Sequence, residues 1–156
     1  ILVNDMAVMS YLASRHFEVY QPRTFLYPLG NGTLGFSFPA ALGAKVAFPE
    51  RQVVSVCGDG GFMVGCQELA TAVQYGIRLP VVVFNDGGYG VLRETQDIEF
   101  GGRRIGVDLV NPDFVKLAEA FGAYGLRVRS PEGLKAALGI ALKADRPTLI
   151  EYLHGQ

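Results

Sequence analysis

The chain has 156 residues, 49% of them hydrophobic and only 19% charged, which excludes a disordered chain and suits one domain with a sizeable core. Lys+Arg 14 against Asp+Glu 15 leaves a net charge of −1, so there is no electrostatic case for nucleic acid or an anionic membrane. The 20 glycines sit in clusters rather than in a repeat, which excludes collagen-like and linker readings and points to backbone brought close to a ligand.

In chain order, Asn4 or Asp5 caps a predicted helix to about Ser14, with Met6, Met9, Leu12 and Ala13 at helical spacing. Arg23 to Tyr27 reads as a short strand stopped by Pro28. The cluster Gly30-Asn31-Gly32-Thr33-Leu34-Gly35 follows, then small-residue helix material from Pro39 to Ala44. Val53 to Cys57 is a strand rich in β-branched residues, ended by Gly58-Asp59-Gly60-Gly61. A helix is expected from about Gly65 to Tyr75, with Gly76 past its end. Val81 to Asn85 is the next strand, followed by Gly87, Gly88 and Gly90. Leu92 to Val110 reads as a helix start and then a mobile loop. Asn111-Pro112-Asp113 starts a helix to about Phe121, and Tyr124 to Val128 is a strand. Ser130-Pro131-Glu132 starts a helix to about Ala144, and Thr148 to Leu153 is the last strand. Strands alternating with helices imply an α/β fold, a mainly parallel sheet covered on both faces.

Cys57 and Cys66 lie nine residues apart with no histidine nearby, which is not zinc spacing. They read as buried thiols of a reducing, cytoplasmic compartment. No apolar run approaches the length of a membrane span. A start at Ile1 suggests a piece of something longer.

In an open parallel sheet, ligands bind beyond the carboxyl ends of the strands. Val53 to Asn85 forms one βαβ unit of 33 residues, so Asp59 and Asp86 reach the same edge. Each alone reads as a turn residue. Together, among glycines, they suit a hard divalent cation such as Mg²⁺ with phosphate oxygens, the helix from Gly65 adding its positive end. The Gly30–Gly35 cluster also matches Gly-x-Gly-x-x-Gly, but its acidic partner, Glu50 or Asp59, is better explained otherwise. His16 and His154 lie outside every cluster, which disfavours a Ser-His-Asp hydrolase. Glu94, Gln96 and Asp97 read either as a solvated helix start or as facing substrate, and Glu68 as a structural helix residue.

Gly58-Asp59-Gly60 followed by Asn85-Asp86 resembles the thiamine diphosphate signature, Gly-Asp-Gly and, some thirty residues on, Asn-Asn. Gly32-Thr33-Leu34-Gly35, Pro39 to Ala44 and Gln67 to Ala72 resemble the flanking segments in acetolactate synthases and benzoylformate decarboxylases. The resemblance implies their three-layer diphosphate-binding domain, here residues 1–156 as the C-terminal part of a longer chain. It implies Mg²⁺ held by Asp59, Asp86 and the Gly88 carbonyl. It also implies thiamine diphosphate approached by Gly32, Thr33, Leu34, Gly58, Asp59, Gly60, Gly61, Phe62, Asp86, Gly88, Tyr89, Gly90 and Val91. In that family Gly32 accepts from the aminopyrimidine through its carbonyl, and Leu34 forces the bent cofactor shape. Asp86 departs from the usual second Asn, and Gly61 from a frequent Ser. The resemblance further implies a partner, the pyrimidine-binding domain of a second subunit with its Glu, in a homodimer or homotetramer. It implies a 2-oxoacid substrate and C–C cleavage or formation, with the domain alone inactive. Two alternatives are a small subunit of a split 2-oxoacid decarboxylase and a non-catalytic nucleotide-binding module.

Overall fold

The computed structural model describes residues 1–153; His154 lies outside them. Six strands form one sheet, β1 (Leu2–Asn4), β2 (Phe25–Leu26), β3 (Val54–Gly58), β4 (Pro80–Asn85), β5 (Tyr124–Val128) and β6 (Thr148–Leu153). Their order is β2-β1-β3-β4-β6-β5, and every pairing is parallel. The helices are α1 (Val8–His16), α2 (Ser37–Ala47), α3 (Asp59–Gly65), α4 (Glu68–Gln74), α5 (Gly90–Glu99), α6 (Phe114–Ala120) and α7 (Pro131–Ala141).

A parallel sheet needs apolar cover on both faces, and the central strands have the matching composition. Val81, Val82 and Val83 of β4 are each at most 2% exposed, so both faces of that strand are covered. On one face Val81 and Val83 join Phe38 and Leu42 of α2, Phe62 of α3, Leu69 of α4 and Phe114 of α6. On the other, Val82 and Ile150 pack against Ala137 and Ala141 of α7, with Phe84 and Val56 only partly covered.

The elements depart from expectation in four places. First, the N-terminus is a strand, β1, and α1 starts later, at Val8 behind Ala7. Three residues are too few to show period-two alternation, so Asn4 and Asp5 looked like caps; both are buried at the strand end instead. Second, the helix placed from Gly65 begins at Asp59 as α3, and α4 follows separately. Three glycines in α3 hide it, each costing about 1 kcal/mol of helix propensity that Phe62's burial offsets. Third, α5 is a ten-residue helix rather than a helix start. Fourth, residues 101–110 are tied down: Tyr89 N–H donates to the Val107 carbonyl and Leu109 N–H to the Gly87 carbonyl, each at 2.8 Å.

α6 and α7 begin close to expectation because their caps are strong local signals. The Asp113 carboxylate accepts from Val115 and Lys116 N–H at 3.1 and 3.2 Å. Ser130 Oγ accepts from Gly133 N–H at 3.0 Å, with Pro131 in the first turn.

Candidate functional site at the carboxyl ends of β1, β3 and β4

The chain turns from β1 outward to β2, then returns to place β3 on β1's other side. The loops leaving β1 and β3 therefore diverge and open a crevice between them. A cleft of about 540 Å³ lies there. Its walls come from Met6 to Met9 after β1, Gly58 to Gly61 after β3, Asp86, Gly88 to Glu94 and Asp97 after β4, and Gly32 and Leu34 after β2.

Asp59 opens α3 and is 1% exposed. Its Oδ1 accepts from Gly60 N–H at 2.8 Å. Its Oδ2 accepts from Gly88 N–H at 3.0 Å and from Asn111 Nδ2 at 2.5 Å. The loop after β4 is thus bonded directly to the first of the two aspartates. Gly87 makes that bend at φ 74, a left-handed conformation that a side chain strains. Asp86 precedes it on the same loop. Burial pushes its carboxyl above the usual range, the negative charge of Asp59 adds to this, and the Arg93 guanidinium opposes it. Two carboxylates repelling each other in a partly desolvated cleft fit a divalent cation between them. Among the described residues no group of three or more His, Cys, Asp or Glu gathers, so the remaining oxygens would come from backbone and ligand.

The backbone around the aspartates is bare. Neither α3 nor α5 has a side-chain cap from its N-cap residue, and apart from Gly60 N–H, which Asp59 Oδ1 takes, their first-turn N–H groups are open to an anion. A Cβ at Gly60 would run into the Tyr89 ring, and one at Gly90 into the Asp86 carboxylate. These glycines let the two loops close on each other. The cleft's other side is apolar: Met6, Ala7, Val8, Met9, Leu34, Val91 and Leu92 line it.

Of the residues singled out by sequence, Gly32, Leu34, Gly58, Asp59, Gly60, Gly61, Asp86, Gly88, Tyr89, Gly90 and Val91 meet at this cleft. Two do not line it. Phe62 is 1% exposed in the core, its ring 6.0 Å from Phe38 and 5.7 Å from Phe114. It lies one turn beyond Asp59, on the face of α3 that meets the sheet. Thr33 is exposed and its hydroxyl donates to the Leu34 carbonyl. Glu94 and Asp97 line the cleft mouth, Asp97 paired with Arg104 at 2.5 Å. Gln96 instead brackets Ile105, and Glu68 and His16 lie elsewhere.

Several residues of the site carry no sequence signal. Asp5 is 1% exposed and accepts from Met6, Gly35 and Ser37 N–H at 2.7, 2.9 and 3.5 Å, tying the Leu34 loop to β1. Burial raises its pKa, against the pull of those hydrogen bonds. Arg93 donates to the Gly87 carbonyl at 3.0 Å and pairs with Asp108 at 3.0 Å, clamping the loop after β4. Asn111, read as part of a helix start, reaches Asp59 instead.

Comparison with known proteins agrees with this architecture. Residues 5–152 match the family described as thiamine pyrophosphate enzyme, C-terminal TPP binding domain. The chain is 38% identical over 153 residues to a probable acetolactate synthase large subunit of Methanococcus aeolicus, covering 97% of this chain and 26% of that protein. It is 38% identical over 153 residues to the acetolactate synthase isozyme 3 large subunit of Escherichia coli K12, covering 97% and 27%. The solved thiamine diphosphate-dependent 4-hydroxybenzoylformate decarboxylase of Rhodococcus jostii RHA1 superposes with a TM-score of 0.89 at 38% identity, over 98% of this chain and 29% of that one. The chain spans about a quarter of the length of the curated relatives it matches. A parallel α/β sheet, a cleft at its switch point lined by both glycine clusters, and a family match over nearly every residue converge on one statement: this chain belongs to the C-terminal TPP-binding domain family of thiamine pyrophosphate enzymes.

Proposed function

We propose that the chain holds Mg²⁺ and the diphosphate of thiamine diphosphate, within an enzyme that cleaves or forms a C–C bond beside a carbonyl. The carrying observation is that Asp59 and Asp86, from adjacent strand ends, share one cleft with bare glycine backbone. Asp59, Asp86 and the Gly88 carbonyl would hold the ion, and the open N–H groups at the starts of α3 and α5 would face phosphate oxygens. The apolar wall with Leu34 and Val91 would seat the rings and exclude water. When bound, thiamine diphosphate supplies the carbanion-stabilising chemistry; this chain binds and orients it. A 2-oxoacid is the proposed substrate, as for the decarboxylase named above.

In the family this chain resembles, the acid that serves the aminopyrimidine stands on a different domain. A second subunit's pyrimidine-binding domain is therefore the proposed partner, in a homodimer or homotetramer, and residues 1–156 would not turn over alone. Exposed apolar residues near the cleft support this: Val8, Leu12 and Leu92 are 43%, 44% and 52% exposed, and α5 has no buried residue. No described helix is long and apolar enough to cross a membrane. A cytoplasmic location is proposed from the cysteines, both of which are free thiols.

Calorimetry tests the reading. Thiamine diphosphate should bind with Mg²⁺ present and lose affinity in EDTA. Binding of NAD or ATP in its place would overturn the assignment in favour of a nucleotide module.

A further inference from the structure

Glu151 lies in the middle of β6, where its carboxylate is 3% exposed. The chemistry proposed above gives it no part. A buried carboxylate is costly unless fully paired, so its partners show what it is retained for. Its Oε2 takes Arg127 Nε at 2.6 Å, and Arg127 also reaches Asp113 at 2.7 Å. Its Oε1 takes Asn85 Nδ2 at 2.7 Å.

That second contact has a directional consequence. An ionised carboxylate only accepts, so the amide of Asn85 must turn its nitrogen toward β6. Its oxygen then faces the loop beyond β4, where it accepts Gly87 N–H at 3.2 Å and Asn111 Nδ2 at 3.0 Å. The same Asn111 nitrogen donates to Asp59 Oδ2 at 2.5 Å. Gly88, bonded to that oxygen too, lies on the loop that Asn85 orients. One chain of hydrogen bonds thus runs from β6 through β4 to the first residue of α3, joining Glu151, Asn85, Asn111 and Asp59.

We propose that Glu151 is a positioning residue for the divalent metal centre. By fixing which way the Asn85 amide faces, it fixes the Asp59 carboxylate and the Gly87–Gly88 backbone before the ion arrives. This rests on the metal reading of the cleft. Outer partners of metal ligands typically contribute about 10–100-fold to metal affinity.

The test uses the protein at its full natural length with thiamine diphosphate present. Mn²⁺ is the probe, its affinity and ligand sphere followed by electron paramagnetic resonance, with Mg²⁺ as competitor. Glu151→Ala is expected to weaken Mn²⁺ by about 10–100-fold and to broaden its spectrum. Glu151→Gln has one oxygen for two donors, Arg127 Nε and Asn85 Nδ2; the guanidinium takes it, the amide nitrogen faces Asn85, and Mn²⁺ is expected to weaken as in Glu151→Ala. Asn111→Ala breaks the link to Asp59 without touching the buried ion pair. It is expected to weaken Mn²⁺ as well, and it decides the matter if Glu151→Ala does not fold. Wild-type affinity and spectrum in folded Glu151→Ala, with only a lower melting temperature, would reduce Glu151 to a β5–β6 staple and overturn the proposal. So would wild-type affinity in folded Glu151→Gln, because the Asn85 amide would then hold its place without an acceptor from residue 151. If the wild-type protein itself binds no Mn²⁺, the metal reading falls, and this proposal with it.

Discussion

Replacing Phe62 by Ala separates a core role from a ligand role on the helix that carries Asp59. The ring is 1% exposed and touches two others, Phe38 and Phe114. Losing a fully buried aromatic forfeits about 1.5–3 kcal/mol of transfer free energy. Each ring pair adds about 0.5–1.5 kcal/mol, and the total falls in the 3–5 kcal/mol typical of Phe→Ala. At about 2–4 °C per kcal/mol for a chain of this size, the melting temperature should drop by about 6–20 °C. Phe62→Leu, which keeps most of the volume, should cost less than about 1.5 kcal/mol. Calorimetric melting measures both, and titration well below the melting temperature should return wild-type affinity for Mg²⁺ and thiamine diphosphate. An unshifted melt with lost affinity would refute the reasoning, because the ring would then be touching ligand.

Three further outcomes are expected. Asp86→Asn removes the charge that Asp59 repels, so cofactor affinity should depend less steeply on Mg²⁺ concentration; an unchanged dependence in paired titrations disproves the repulsion argument. Asp5 has a raised folded pKa, so its contribution to stability is fully present below the unfolded value near 3.8 and is lost as pH rises through the folded one. The stability difference between wild type and Asp5→Asn in urea titrations should therefore shrink from acidic to neutral pH, and a pH-independent difference counts against it. Ser130→Ala removes the cap of α7 and should cost about 1 kcal/mol in urea denaturation, with no effect on cofactor affinity.

The parts of the fold legible in the sequence were those with strong local signals. Val81 to Asn85 reads as a strand because an apolar β-branched run needs cover on both sides, and Ser130-Pro131 reads as a helix start because the cap chemistry is local. β1 was not legible, because Leu2–Asn4 becomes a strand only through its partners β2 and β3. α3 was hidden by its own glycines. At the site, Asp59 and Asp86 could be paired because parallel strands end on one edge. Asp5, Asn111 and Glu151 were invisible for one shared reason. Their roles come from hydrogen bonds spanning 52 residues for Asn111–Asp59 and 66 for Asn85–Glu151, and no local pattern encodes such distances.

The position of β6 carries a consequence for how the chain is made. It is the last of the described strands in sequence, yet it sits between β4 and β5 rather than at an edge. On a ribosome, β4 and β5 can each emerge and still have no neighbour on their shared side until residues 148–153 follow. Until then the valine-rich flank of β4 has an open edge, the kind of surface that invites chaperones or self-association. Cutting the chain just before Thr148 should therefore cost far more than deleting the two-residue rim strand β2, because the first opens the middle of the sheet and the second only trims its border.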